Sequence, residues 1–430
     1  MPAGILFLIF VAALALSVPV AIALGISAIL PNLVNPSFAA SPQLIIRSMI
    51  GGVDSFPILA VPMFILSGII MAKGGVSKKI FNMVSYFIGN KTAGLPCAVV
   101  ITCLFYGAIS GSGPATTAAV GSMTIPILVS LGYDKVFATA IVAVAGGLGV
   151  IIPPSIPFIL YGMTSGASVG KLFLAGVLPG LLIGGCLMLY AYYYCKTRGE
   201  DKEKLNEHYY ALKSQGFMTV FKDSFWALFA PVIILGSIYS GIASPTEAAT
   251  ISVFYAIIIS LYVYKSLTYR DIPKILREAT STFTPILFIL ASAVAFARVL
   301  TLMQVPQIVA AAITSVFTGK ISILIVINIL LLFVGMVMDT SPAILILTPI
   351  LLPIMTSVGV DPIHFGIIMV VNLAIGFVTP PIGINLFVAS SLTGIEVVQI
   401  ARKAAPFIIA FLIALVFITF IPEISLLLTR

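Results

Sequence analysis

Long apolar runs alternate with short polar interruptions along the whole chain, beginning with the run Gly4 to Leu30. A helix needs on the order of 20 apolar residues to cross a hydrocarbon core about 30 Å thick, and the sequence offers about ten such stretches. Lipid leaves no backbone group without an internal partner, which favours helices. The alternating segments of about ten residues that mark an outer-membrane barrel are absent. The pattern therefore predicts an all-α polytopic membrane protein.

Composition agrees. Of 430 residues, 60% are hydrophobic and 8% charged, against roughly 25% charged in globular domains. The net charge of +8 reads as topogenic lysine and arginine facing a membrane, with no nucleic-acid partner. Cys97, Cys103, Cys186 and Cys195 lack CxxC spacing and lie in apolar runs, as small core residues do. No basic region precedes the first apolar run and no cleavage site follows it, so it is not read as a removable signal peptide.

The pattern repeats. Phe56-Pro57-Ile58-Leu59 matches Thr284-Pro285-Ile286-Leu287 at an offset of 228, which also pairs Gly107 with Gly335 and Pro114 with Pro342. After a one-residue slip, an offset of 227 pairs Pro126 with Pro353, Gly132 with Gly359, Asp134 with Asp361 and Gly149 with Gly376. The same offset pairs Pro153 and Pro154 with Pro380 and Pro381, and Pro179 with Pro406. We read a tandem duplication: repeat one at 1–195, a charged connector at 196–223, and repeat two at 224–430.

Each repeat opens with two short helices, Gly4 to Ser17 and Val18 to Leu30, then Phe225 to Tyr239 and Glu247 to Tyr264. One spanning helix follows, about 57 to 72 and about 284 to 300, and then an amphipathic connecting piece. Leu95 to Ile109 with Pro114 to Leu131, and Ile323 to Val337 with Pro342 to Val358, read as re-entrant hairpins whose tips are "SGSG" and "DTS". Irregular backbone at that depth is tolerated only where protein or a water-filled cavity covers it. Each hairpin precedes a helix broken by a double proline, at 151–157 and 378–385, because two prolines together remove donors and clash with the preceding turn. A full helix closes each repeat, at 172–195 and 404–422.

Five crossings per repeat make the second copy inverted. Threaded this way, 17 basic residues, including the six between Lys196 and Lys222, fall on one side. Arg47, Lys171, Lys320 and Arg430 fall on the other. The positive-inside rule then makes the connector cytoplasmic and both termini external.

Opposed hairpins facing broken helices in an inverted repeat are expected of a secondary transporter with its site near the midplane. Half-helix N-termini offer amides to an anion, and freed carbonyls coordinate a cation. Candidate ion and substrate residues are the first tip (Ser110, Gly111, Ser112, Gly113), with the alternative of a plain helix-turn-helix corner, and the second tip with Asp339 and Thr340. An intramembrane carboxylate by default marks function, and Asp339 suits Na⁺ or H⁺; a buried carboxylate paired for structure alone is the other reading. Ser155, Thr379 and Asn385 lie beside carbonyls freed around Pro153 and Pro380 and serve either as ligands or as helix caps. Arg298 either pairs with a substrate carboxylate or snorkels to an interface. Glu247, after Ser244 and Pro245, reads as a helix cap. His208 and His364 are not placed to form a metal site, so no metal beyond Na⁺ is expected. No Walker loop is present, so an ion gradient is the expected energy source. An intramembrane hydrolase using Ser110 or Ser112 would need a base that neither histidine supplies, so an enzyme is not expected. A channel is a weaker alternative, because two hairpins in an inverted repeat suit alternating access.

"GIASPTEAA" (241–249), "SGSGPATTAAVGSMTIP" (110–126), "IIPPSIPFILYG" (151–162), "MDTSPAILILTPILLP" (338–353) and "FVTPPIGINLFV" (377–388) together resemble the DctM-like large membrane subunit of tripartite ATP-independent periplasmic (TRAP) transporters. The resemblance covers essentially the whole chain. It implies an elevator mechanism in the bacterial inner membrane, in which a transport part (about 55–195 and 284–430) slides against scaffold helices (1–30 and 224–265), coupled to Na⁺. It also implies two partners, a small four-helix membrane subunit and a periplasmic binding protein that delivers an organic acid such as sialic acid or a C4-dicarboxylate. Because the chain begins at the large subunit's first helix, the small subunit is expected to be separate. Carried over by position, Ser110 to Gly113, Ser155, Asp339, Thr340, Thr379 and Asn385 become the candidates for Na⁺ and substrate. A stand-alone Na⁺/carboxylate symporter of related fold is the alternative.

Overall fold

The structure is a computed structural model that describes residues 3–35, 38–317 and 319–429; the expected external placement of Arg430 lies outside them. Every regular element among these residues is helical. The first half contains α1 (Ala3–Ala15), α2 (Val20–Val34), α3 (Pro42–Val53), α4 (Ala60–Lys73), α5 (Val76–Ile88), α6 (Gly94–Ser110), α7 (Gly113–Ser130), α8 (Lys135–Gly146), α9 (Ile156–Ser165) and α10 (Val169–Arg198). The connector contributes α11 (Lys202–Ser214). The second half contains α12 (Phe217–Tyr239), α13 (Pro245–Ile258), α14 (Ile272–Leu302), α15 (Val305–Val316), α16 (Lys320–Val337), α17 (Thr340–Ser357), α18 (Pro362–Gly376), α19 (Ile384–Thr393), α20 (Val397–Phe420) and α21 (Glu423–Leu426). Among the described residues eight helices are long and apolar enough to cross a membrane, by length and composition. The protein is an all-α polytopic membrane protein.

Positions that match between the halves do the same local work. Gly132 and Gly359 both take positive φ, 92° and 73°, where a hairpin's second arm ends. Asp134 and Asp361 then cap the next helix, accepting from Val136 N at 3.0 Å and from Ile363 N at 2.7 Å, which satisfies amides that a helix start leaves open. Gly107 crosses Gly149, and Gly335 crosses Gly376, so closely that a Cβ on the first of each pair would meet its partner's Cα at 2.8 and 3.3 Å. Pro153-Pro154 and Pro380-Pro381 are both cis. The spanning helices are exchanged between halves: α4 packs on α13, and α14 packs on α2 and α3.

Several elements depart from the sequence pattern: the connector holds helix α11, α12 begins at Phe217 within the expected connector, α20 begins at Val397 rather than near 404, and two differ more. Helix α14 begins at Ile272, well before the expected start near 284, because its polar first turns still bury Ile275 and Ala279 one turn apart. Helix α3 has no counterpart in the expected elements. Ser41 caps it by accepting from Leu44 N at 3.3 Å, and Arg47 and the Gly51-Gly52 pair interrupt its apolar run. Glu247 behaves as read: Ser244 and Glu247 form a complete capping box at the start of α13.

The connector is tied down at one buried carboxylate. The Glu200 side chain is 1% exposed and pairs with Lys202 at 3.0 Å. It also accepts from Ala93 N at 3.0 Å and from Tyr133 OH at 2.6 Å. One side chain thus joins the connector, the entry to α6 and the turn after α7. Lys73–Glu278, Lys79–Asp223 and Lys403–Asp134 are further ion pairs, and every residue in them belongs to the connector's end of the molecule.

Candidate functional site

At the first tip, α6 ends with Gly111 at φ 60°, its N–H bonded to Gly107 O. Ser112 is the N-cap residue of α7, and Pro114 sits in that helix's first turn, where a missing donor costs little. Ser110 Oγ lies 2.8 Å from Thr116 Oγ1, which in turn donates to Ser112 O at 2.8 Å. The tip rests on the first break, where Ile156 N donates to Gly111 O at 3.3 Å. Helix α4 reaches the tip at Gly68, where a Cβ would stand 3.1 Å from Ser110 Cα.

At the second tip, Asp339 is the half-buried N-cap residue of α17, with Thr340 and Ser341 buried behind it. This hairpin also touches its own half's break, through Ile382 N donating to Met336 O at 3.2 Å. The two breaks differ in burial. Residues 151–160 are all buried, whereas Pro380, Pro381 and Ile382 are exposed.

The halves meet between the tips. Gly113 faces the Phe377 ring, which a Cβ would reach at 3.0 Å, and Gly147 faces Ala374 O at 3.5 Å. Asn385 is fully buried and donates across the halves to Ala143 O at 3.0 Å. Its Oδ1 has no hydrogen-bond partner, and neither has Thr117 Oγ1, which lies against Gly146 three residues along α8. Buried polar atoms are normally paired, so two unpaired oxygens near one point of α8 are an exception that needs a reason. Thr117 was not among the expected site residues. Its signal was the "TT" that follows the first tip, where Thr116 and Thr117 are adjacent and only the former is used within the tip.

A cavity of about 660 Å³ opens at the connector's end and reaches Ser110 and Ser112. Its walls are Ile65, Gly68, Ile69 and Ala72 of α4 and Ala115, Ala119 and Met123 of α7, with Lys73, Lys78 and Glu278 at its mouth. Asp339, Thr340, Thr379 and Asn385 do not line it. The structure thus gathers the candidates into two groups, a first tip open to a cavity and a junction around the second tip and break. Ser155 belongs to neither. Its hydroxyl accepts from Phe158 N at 3.3 Å and donates to Val150 O at 2.5 Å, so it caps α9. Thr379 Oγ1 donates to Ile375 O at 2.8 Å, which leaves its lone pairs available. Arg298 is exposed near the end of α14 and lines no part of the cavity, the placement of a snorkelling side chain.

The chemistry available is ion and anion binding. Helices α7, α9, α17 and α19 all begin at the breaks or tips, and α6, α8, α16 and α18 all end there, so helix ends of both signs converge, although the first amides of α9 are already taken by Gly111 O and Ser155 Oγ.

The chain matches the family described as "Tripartite ATP-independent periplasmic transporter, DctM component" over residues 7–424. It is 45% identical over 425 residues to the isethionate TRAP transporter permease protein DctMQ of Oleidesulfovibrio alaskensis, covering 99% of this chain and 66% of that relative's length. It is 41% identical to the C4-dicarboxylate TRAP transporter large permease protein DctM of Pseudomonas aeruginosa, over 87% of this chain and 86% of that one. With the sialic acid TRAP transporter large permease protein SiaM of Vibrio cholerae it shares 34% identity, over 93% and 91%. Among solved structures, the YdaH transporter of Alcanivorax borkumensis superposes with a TM-score of 0.59 at 14% identity, covering 89% of this chain and 88% of that one. MtrF of Neisseria gonorrhoeae gives 0.61 at 14% identity, over 89% and 84%; both likenesses concern the fold alone. The chain belongs to the DctM family of TRAP transporter large permease subunits, and it is a transporter component and not an enzyme.

Proposed function

We propose that this permease carries a small organic anion inward, driven by a Na⁺ gradient, by an elevator movement of its hairpins and broken helices against α1, α2, α12 and α13. The observation that carries the ion-coupled reading is the pair of buried oxygens without donors, Asn385 Oδ1 and Thr117 Oγ1, near converging helix ends. Hard oxygen donors of this kind suit Na⁺. The first tip (Ser110 to Gly113) with its cavity serves the anion, and Asp339, Thr340, Thr379 and the carbonyls around Pro153 and Pro380 serve the ion.

Matched glycines, caps and proline pairs support an inverted repeat of two five-span halves. The grouping of ion pairs at the connector's end supports a cytoplasmic connector in a bacterial inner membrane, with both termini periplasmic. A small membrane subunit and a periplasmic binding protein complete the transporter. The relatives' names widen the cargo beyond carboxylates, since isethionate is a hydroxyethanesulfonate; the shared chemistry is one anionic head on a small polar body.

The test is uptake of labelled isethionate, succinate and sialic acid into liposomes. This chain is reconstituted alone and then with its two partners, with and without an inward Na⁺ gradient. Uptake that needs all three proteins and Na⁺ is expected. Uptake by this chain alone would make it an independent symporter, and uptake indifferent to Na⁺ would remove the ion from the mechanism.

A further inference from the structure

The cavity beneath the first tip is lined by hydroxyls, apolar residues both small and large and one tyrosine for most of its depth, and the only charged residues in its lining stand at its mouth: Lys73, Lys78 and Glu278. Lys73 is the last residue of α4, Glu278 lies in the second turn of α14, and the two form an ion pair across 205 residues of sequence. Both side chains remain wetted, 33% and 49% exposed.

We propose that Lys73 is the cargo's exit ligand, held between passages by Glu278, and that an anion leaving the first tip displaces the Glu278 carboxylate to reach it. The inference rests on the proposed inward transport of an organic anion. A carboxylate or sulfonate carries the same charge as the Glu278 side chain and accepts the same hydrogen bonds, so the exchange conserves charge at the mouth. An exposed ion pair holds its partners only weakly, which makes Glu278 a replaceable occupant. An ammonium is a compact, strongly hydrated charge without the planar fork of arginine, which suits brief holding followed by release. Two cations against one anion leave the mouth net positive, so a cargo anion meets attraction there after an uncharged passage. Because the pair also bridges α4 and α14, which pack together, displacing Glu278 loosens that joint as cargo leaves.

The experiment reconstitutes the permease with its partners in liposomes loaded inside with rising concentrations of unlabelled isethionate, succinate or sialic acid. The readout is the internal concentration that halves import of the same labelled anion. Glu278→Gln frees Lys73 and should lower that concentration by about two- to fivefold. Lys73→Gln should raise it by a similar factor, and Lys73→Arg, which keeps the charge, should stay nearer the wild type. A clip that merely holds α4 to α14 would be broken equally by either substitution. Shifts in the same direction for Glu278→Gln and Lys73→Gln, or no shift for Glu278→Gln, would therefore overturn the exit ligand while leaving import intact. A wild-type complex that imports none of the three anions would instead refute the function on which the proposal rests.

Discussion

Gly376→Ala is the sharpest test of how the second hairpin is held. A Cβ at Gly376 would stand 2.2 Å from Gly335 C, 2.3 Å from its O and 2.5 Å from its Cα. Carbon atoms in contact prefer about 3.5–4.0 Å, so α16 and α18 would have to separate by more than about 1 Å. The obstacle is backbone and no rotamer change relieves it, which places the cost at the upper end of the roughly 1–3 kcal/mol typical of overpacking. The matched substitution Gly107→Ala meets Gly149 Cα at 2.8 Å and should cost less. Gly236→Ala, in α12, meets nothing within 4 Å, and removing a glycine from a helix interior should be neutral or stabilising by up to about 1 kcal/mol. Heating the purified variants and following the surviving monodisperse protein by size-exclusion chromatography ranks the three. The expected order of stability is Gly236→Ala, then Gly107→Ala, then Gly376→Ala. A Gly376→Ala protein as heat-resistant as wild type would refute the close crossing of α16 and α18.

Asp339→Asn keeps size and shape while removing the charge, so Na⁺-driven uptake should be lost with folding and insertion intact. Wild-type coupling in that variant would take Asp339 out of the ion site. Ser112→Trp should fill the space under the first tip and stop uptake; unchanged transport would mean that no cargo visits the cavity there. Glu200→Ala leaves the Ala93 amide and the Tyr133 hydroxyl without their acceptor, at about 1–3 kcal/mol for the buried amide and less for the half-buried hydroxyl, with Glu200→Gln milder. Limited proteolysis should then cut the connector between 199 and 216 faster, and an unchanged cleavage rate would show that Glu200 does not anchor it.

The paired helices, the breaks between them and the closing helices were legible because glycine and proline act through the backbone, and backbone requirements survive duplication at a fixed offset; whether each pair re-enters is a separate matter, since α16 and α17 are each long enough to span. Gly132 with Gly359, Asp134 with Asp361 and the two proline pairs announced in sequence the turns, caps and unwound segments that the structure contains. Helix α3 was not legible. It buries only Ile45 among its hydrophobic residues, so its stability comes from a serine cap and from packing on α14, a contact from the other half that no local pattern encodes. The same limit applied at the site. Asp339 and the first tip stand out as polar residues in apolar surroundings, but the fate of an individual hydroxyl depends on its neighbours. Ser155 and Thr117 look alike in sequence, yet one is consumed in capping α9 and the other is left unpaired beside Gly146. Arg298 illustrates the converse, since an arginine in an apolar run can face a cavity or the outer surface according to helix rotation alone.

The exchange of spanning helices, α4 onto α13 and α14 onto α2 and α3, bears on what covalent continuity does for this molecule. Each half supplies the other with a wall that it lacks itself, so neither half has a complete set of neighbours until the other has been made. The first half, emerging earlier from the ribosome, must wait in the bilayer with one face of α4 uncovered until α13 follows it, although α4 already packs on α6. The connector shortens that wait by keeping the second half close, but the finished interface is held by helix packing. Two messages, each encoding one half and broken near Gly216, should therefore yield halves that copurify when coexpressed, and halves that fail to associate would show that the connector does more than keep them close.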